Sequence, residues 1–195
     1  MNITNFKMIR RAPAIPCIAV LLAFAPVPAR AEPEVSKEFK VKAALLLNFA
    51  QYTQWPANAF AADGAPVEIG ILGADPFGTA LDEMARSQTV RGRAIVIRRS
   101  QNAEVLKSCH VVFIASSEAQ RLDADLAALK DSAALTISGI RRFAVSGGMF
   151  NFYLNKEGRV RFEINSDAAQ KKGFKISSQL QQLSAPPDSD AKWEK

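Results

Sequence analysis

Across residues 36–54, Phe39, Ala43, Leu46, Leu47 and Ala50 recur at steps of three and four, while Lys37, Lys40 and Gln51 fall on other faces. That period predicts an amphipathic helix, capped by Ser36 and stopped before Pro56. Residues 58–66, rich in Ala, Asp, Gly and Pro, predict a connecting loop. The apolar run Val67–Leu72 predicts a buried strand, followed by a helix to about Arg86 with Asp75 as its N-cap and Pro76 in its first position. Residues 94–98 predict a second strand after the turn Val90-Arg91-Gly92-Arg93, and residues 103–107 a short helix. Residues 110–115 are apolar almost throughout, as a strand covered on both faces should be. A helix over 118–130, with Leu122, Leu126 and Leu129 in one stripe and Ser116 or Ser117 as cap, leads to a fourth strand at Leu135–Ser138.

The period then shortens to two. Residues 149–154 and 159–165 alternate on either side of Asn155-Lys156-Glu157-Gly158 and predict an antiparallel hairpin. Phe150, Phe152, Leu154, Val160, Phe162 and Ile164 form its apolar face; Asn151, Tyr153, Arg161, Glu163 and Asn165 should point away from the body. Helical turns at 167–172 and 177–183 close the domain, and the polar segment 184–195, with Pro186-Pro187, is expected to be mobile. The fold class read from this order is α/β: a single domain over 36–183, built on a mostly parallel sheet with flanking helices and a C-terminal antiparallel β-hairpin.

Composition adds an address. Residues 1–31 read as a cleavable export signal, with Lys7, Arg10 and Arg11 at its start, an apolar stretch over 15–27 and Ala29-Arg30-Ala31 as the cleavage site. The stretch falls short of the roughly 20 apolar residues that span a bilayer. Cys17 follows Pro16 near the beginning of that stretch, which does not suit a lipid anchor. The whole chain of 195 residues carries 25 basic and 19 acidic side chains, a formal net charge of +6. The signal holds four of the basic residues and no acidic one, so the mature chain keeps 21 against 19. That balance gives no electrostatic case for nucleic acid.

Candidate chemistry is sparse. Without the signal, His110 and Cys109 are the only side chains of their types, which leaves no metal site by spacing and no Ser–His or Cys–His arrangement that avoids His110. Cys109 and His110, adjacent at a strand entrance, should face opposite ways. No catalytic, cofactor or metal residue is assigned. Cys109 is read as a buried thiol, with an intermolecular bridge as the sharper alternative. Asp75, Asp82, Glu83, Glu104, Glu163 and Asp167 leave carboxylate chemistry open without making any pair converge, and Asp123 and Asp125 should diverge on their helix. The turn Gly73–Gly78 lacks the GxGxxG pattern and a P-loop Lys, and reads first as a plain strand-to-helix turn and second as a small-ligand site. Gly147-Gly148 should serve positive φ or close backbone approach. Arg91, Arg93, Arg98 and Arg99 read as a solvated strand edge.

Taken in order, Lys42-Ala43-Ala44 through Asn48-Phe49-Ala50 to Trp55-Pro56, Ile71-Leu72-Gly73 with Asp75-Pro76-Phe77-Gly78, and Cys109 to Ile114 resemble the YfiR-like periplasmic regulatory proteins, a domain of unknown function. The likeness continues in Leu135-Thr136-Ile137-Ser138 and is strongest in Gly147 to Phe152, Gly158 to Asn165 and Ser177 to Leu180. The resemblance implies a non-enzymatic periplasmic regulator that represses a membrane signalling enzyme, a diguanylate cyclase foremost, by binding its periplasmic sensor domain and so lowering cyclic di-GMP. It also brings an outer-membrane lipoprotein as a sequestering partner and a homodimer as the assembly. The alternative is a small-ligand-binding sensor component that acts with another signalling protein such as a histidine kinase. The disulfides of the best-known relative have no counterpart, since only Cys109 lies in the matching region. The contact residues expected from the outward hairpin face are Asn151, Tyr153, Arg161 and Glu163.

Overall fold

The computed structural model describes residues 35–194; the export-signal reading of 1–31 and Cys17 lie outside them. Ser36 accepts a hydrogen bond from the Phe39 amide and opens α1 (Lys37–Tyr52). There follow β1 (Thr53–Gln54), β2 (Val67–Leu72), α2 (Thr79–Ser87), β3 (Ile95–Ser100), a 3-10 turn (Ala103–Leu106) and β4 (Val111–Ile114). A second 3-10 turn (Ser116–Glu118) precedes α3 (Leu122–Ala128), β5 (Leu135–Ser138), β6 (Phe150–Leu154), β7 (Val160–Ile164), α4 (Ser166–Lys171), β8 (Lys175–Ile176) and α5 (Ser178–Leu183).

The main sheet has six strands in the order β3-β2-β4-β5-β6-β7, parallel throughout except for β7, which returns antiparallel to β6. The predicted α/β class, parallel sheet and hairpin are therefore present. Alternation along β4 sends Val111 and Phe113 to one face and Val112 and Ile114 to the other, and both faces are buried. The first face packs on α1 and α2, where Phe49 stacks on Phe150 at 4.3 Å and meets Phe162 edge-on at 4.7 Å. The second packs on the Ala103–Leu106 turn and α3 through Leu106, Cys109, Leu122 and Phe143. Gly147 sits at φ +104°, and a Cβ on Gly148 would fall on the Phe143 ring, so the pair meets both needs read for it.

Three local expectations are corrected. Asp75 is not the N-cap of α2: its Oδ1 accepts from the Phe77 amide at 2.7 Å and its Oδ2 from Arg99 Nε at 2.7 Å. That turn drops Phe77 into the core, and α2 starts only after Gly78, at φ +49°. Neither Ser116 nor Ser117 caps a long helix, because Ser117 Oγ is taken by the Ala74 amide at 2.9 Å and the segment divides into a 3-10 turn and α3. Thr53-Gln54, read as the end of a helix, is extended and pairs antiparallel with Lys175-Ile176 in a second, two-stranded sheet. That partner lies too far along the chain for any local signal to predict.

Candidate functional site

The hairpin turn is built by Asn155, whose carbonyl accepts from the Gly158 amide at 2.8 Å and whose Oδ1 accepts from the Arg159 amide at 2.9 Å. Gly158 holds φ +72°, where a side chain would be strained. Lys156, Glu157 and Gly158 are exposed at the tip. From this turn the strands pair Tyr153 with Arg161 and Asn151 with Glu163. All four expected contact residues thus sit on one face of the hairpin, as alternation requires, but they differ in access. Arg161 is exposed and Glu163 half-buried, whereas Asn151 and Tyr153 are 0% and 4% exposed. The expectation that Asn151 and Tyr153 face solvent is corrected.

Over Tyr153 the cover is the C-terminal segment itself. Ser184 and Ala185 line the free edge of β7: Ser184 Oγ accepts from the Ile164 amide at 3.0 Å, and the Ala185 amide donates to Phe162 O at 3.1 Å. The Tyr153 hydroxyl then donates to Ala185 O at 3.0 Å, and Trp193 packs on the Tyr153 ring at 5.8 Å. Beyond the end of β5, Lys192 and Leu154 exchange backbone hydrogen bonds of 2.8 and 2.9 Å, so the chain end occupies the strand position that β5 leaves vacant beside β6. The tail expected to be mobile is instead a strap bound to backbone donors and acceptors that would otherwise be unpaired.

The strap ends in a buried ion pair. Lys42, 1% exposed on the apolar side of α1, reaches Glu194 at 2.6 Å and Glu38 at 2.5 Å. Burial pushes the Glu194 carboxyl up, and Lys42 pulls against that shift. Glu194 also lies against Gly139, where a Cβ would collide with its carboxylate, and its amide donates to Gly139 O at 3.2 Å. Sequence reasoning missed this latch. The i, i+4 spacing of Glu38 and Lys42 is a signal that could have marked half of it; nothing local marks Glu194 as their partner.

Other candidates resolve into structure. Cys109 and His110 do face opposite ways: the thiol packs against Leu106 and Gly70, while the imidazole stacks on Phe60 at 4.3 Å. Burial pushes the Cys109 thiol up to about 11, which keeps it protonated and unreactive. His110 Nδ1 accepts from the Glu68 amide at 3.0 Å, and burial lowers its pKa. At the Gly73–Gly78 turn, the second reading's ligand site, Ser117 and Glu118 pack against Gly73 and take the space a Cβ there would need. Asp125 is buried while Asp123 is exposed, so the two diverge. Glu118 and Asp125 share Arg121, at 3.0 and 3.4 Å. β3 is the sheet edge, as read for the arginine cluster, but Arg98 pairs with Glu68 and Arg99 bridges Asp75 and Asp82 rather than standing free. No group of three metal-ligating side chains occurs among the described residues.

The pattern of the YfiR/HmsC-like family (DUF4154) matches residues 39–185, from the first turn of α1 to the start of the strap. The chain belongs to the YfiR/HmsC-like family. Its members are regulatory, periplasmic proteins rather than catalysts. Among solved structures, this YfiR/HmsC-like chain is similar to a conserved domain protein from Vibrio cholerae O1 biovar El Tor strain N16961, at 10% identity and a TM-score of 0.52. The match covers 77% of this chain and 60% of that one, a likeness of fold alone. No curated protein matches the chain. Among the described residues no helix is long and apolar enough to cross a membrane.

Proposed function

We propose that this protein is exported to the periplasm, where it binds the sensor domain of an inner-membrane diguanylate cyclase and represses it, lowering cyclic di-GMP. The family match over 39–185 carries the reading. The exposed hairpin supports a contact surface: Arg161 and the turn Lys156 to Arg159 offer charge of both signs on a rigid two-stranded arm, with Glu163 half-buried beside them. Tyr153, on the same face, would become available to a partner if the strap lifted. Repression is then a population shift, requiring tighter binding to the inactive sensor state than to the active one.

The test is intracellular cyclic di-GMP in the host with the gene deleted and with it restored. Deletion should raise the nucleotide and restoration reverse it, whereas an Arg161→Glu copy should restore poorly. Unchanged cyclic di-GMP in the deletion strain across growth conditions would sink the cyclase as target.

A further inference from the structure

At the opposite end of the sheet from the strap's latch, the entrance to β2 and the turn before β3 meet the loop after β1 around a cavity of about 360 Å³. Val67 and Val90 supply apolar lining, Trp55 and Phe60 aromatic walls, and Arg91 and Arg93 two guanidinium groups. Trp55 and Phe60 meet edge-to-face at 5.6 Å, and the Arg93 guanidinium lies over the Phe60 ring at 4.2 Å. Volume, apolar walls and a few convergent polar groups are the ordinary description of a small-molecule site.

Two observations bear on what this cavity would take. First, among the described residues neither Arg91 nor Arg93 has a carboxylate within ion-pair range, as Arg86, Arg141, Arg142 and Arg161 also do not, but these two alone line the cavity. Each spends Nη1 on backbone carbonyls, Arg91 on Thr53 and Arg93 on Ala62 and Ala65, which fixes the fork and leaves its other donors free. Second, Arg91 stands at φ +52°, one of two non-glycine residues in the left-handed region among the described residues, and Gln51 Oε1 holds its amide at 2.6 Å. Strain retained in an arginine where the next residue, Gly92, shows glycine was available points to a use for the side chain.

We propose that this cavity binds a small carboxylate carrying a flat apolar body, with the carboxylate on Arg91 and Arg93 and the apolar part against Trp55 and Phe60. The guanidinium fork matches a carboxylate in plane and charge. The site is independent of which enzyme the protein regulates, and no cyclase is needed to test it.

The probe is phenylacetate, with phenylacetamide as its uncharged isostere. Binding to the mature chain is read by calorimetry, and by Trp55 emission in a Trp193→Phe background, which leaves Trp55 as the single tryptophan of a sequence that has two. Phenylacetate should bind saturably and phenylacetamide at least about ten-fold more weakly. Because Arg93 also ties down the loop carbonyls, the decisive variant is Arg91→Gly. Glycine accepts the left-handed φ, so this variant should melt at or above the parent temperature while losing about ten-fold or more in affinity. Absence of saturation at millimolar phenylacetate, equal binding of the amide, or undiminished binding by Arg91→Gly would each overturn the site.

Discussion

His110 shows how one side chain can be read wrongly as chemistry and rightly as architecture. Its Nδ1 takes the Glu68 amide, its ring fills the space between Phe60 and Trp55, and burial holds it below its ordinary pKa of 6.5. The folded state therefore binds fewer protons than the unfolded one between the lowered pKa and 6.5. By linkage, stability is fully present above that window and is lost as pH falls through it. His110→Asn should keep an acceptor for the Glu68 amide while removing the titration. Thermal melts between about pH 6.5 and 5 should then show a flatter slope for the variant than for the parent. An unchanged slope would mean that His110 does not titrate on unfolding.

Among elements, the strap is the least expected, and its removal should be felt. Deleting residues 184–195 strips two hydrogen bonds from Leu154, uncovers Tyr153 and leaves Lys42 with Glu38 alone. Removing one partner of a buried pair typically costs about 3–5 kcal/mol, so the truncated chain should unfold at clearly lower urea. Adding Lys42→Met to the truncation should recover part of that loss, because the unbalanced buried charge is gone. A truncation that leaves the urea midpoint unmoved would show the strap to be marginal. The same element marks where local reading stops. Val67–Leu72 and Leu135–Ser138 were legible to the residue because a short apolar run covered on both faces carries its own signal. Gly147-Gly148 was legible through its lack of side chains. The strap, the Thr53-Gln54 pairing and the Lys42 latch each join residues far apart in sequence, and nothing in a polar tail says which strand it will lie along. The expected exposure of Tyr153 failed for the same reason: alternation placed it correctly on the outer face, but cannot tell solvent from a covering segment.

For the molecule as a whole, both edges of the main sheet are guarded. β3 carries the charged pair Arg98 and Arg99, and β7 has Ser184 and Ala185 along it. A partner therefore meets charged side chains before it meets free backbone. Without residues 1–31 the chain carries 21 basic and 19 acidic side chains, so long-range steering would be weak and the proposed contact would depend on local pairs such as one made by Arg161. Affinity for a purified sensor domain should fall as salt rises from about 50 to 300 mM, since exposed pairs are screened over that range. Affinity that holds or rises with salt would indicate an apolar contact instead, and with it a strap displaced on binding. The latch has a practical corollary for anyone attaching a reporter. A fluorescent or affinity label appended to the C-terminus is joined one residue beyond a carboxylate sealed against Lys42, and would tug on the seal. Placed instead between Lys156 and Gly158, at the solvent-exposed hairpin tip, it would leave the strap seated but crowd the proposed docking arm. Comparing the two labelled proteins separates the fold's dependence on its last residues from the partner's dependence on the hairpin.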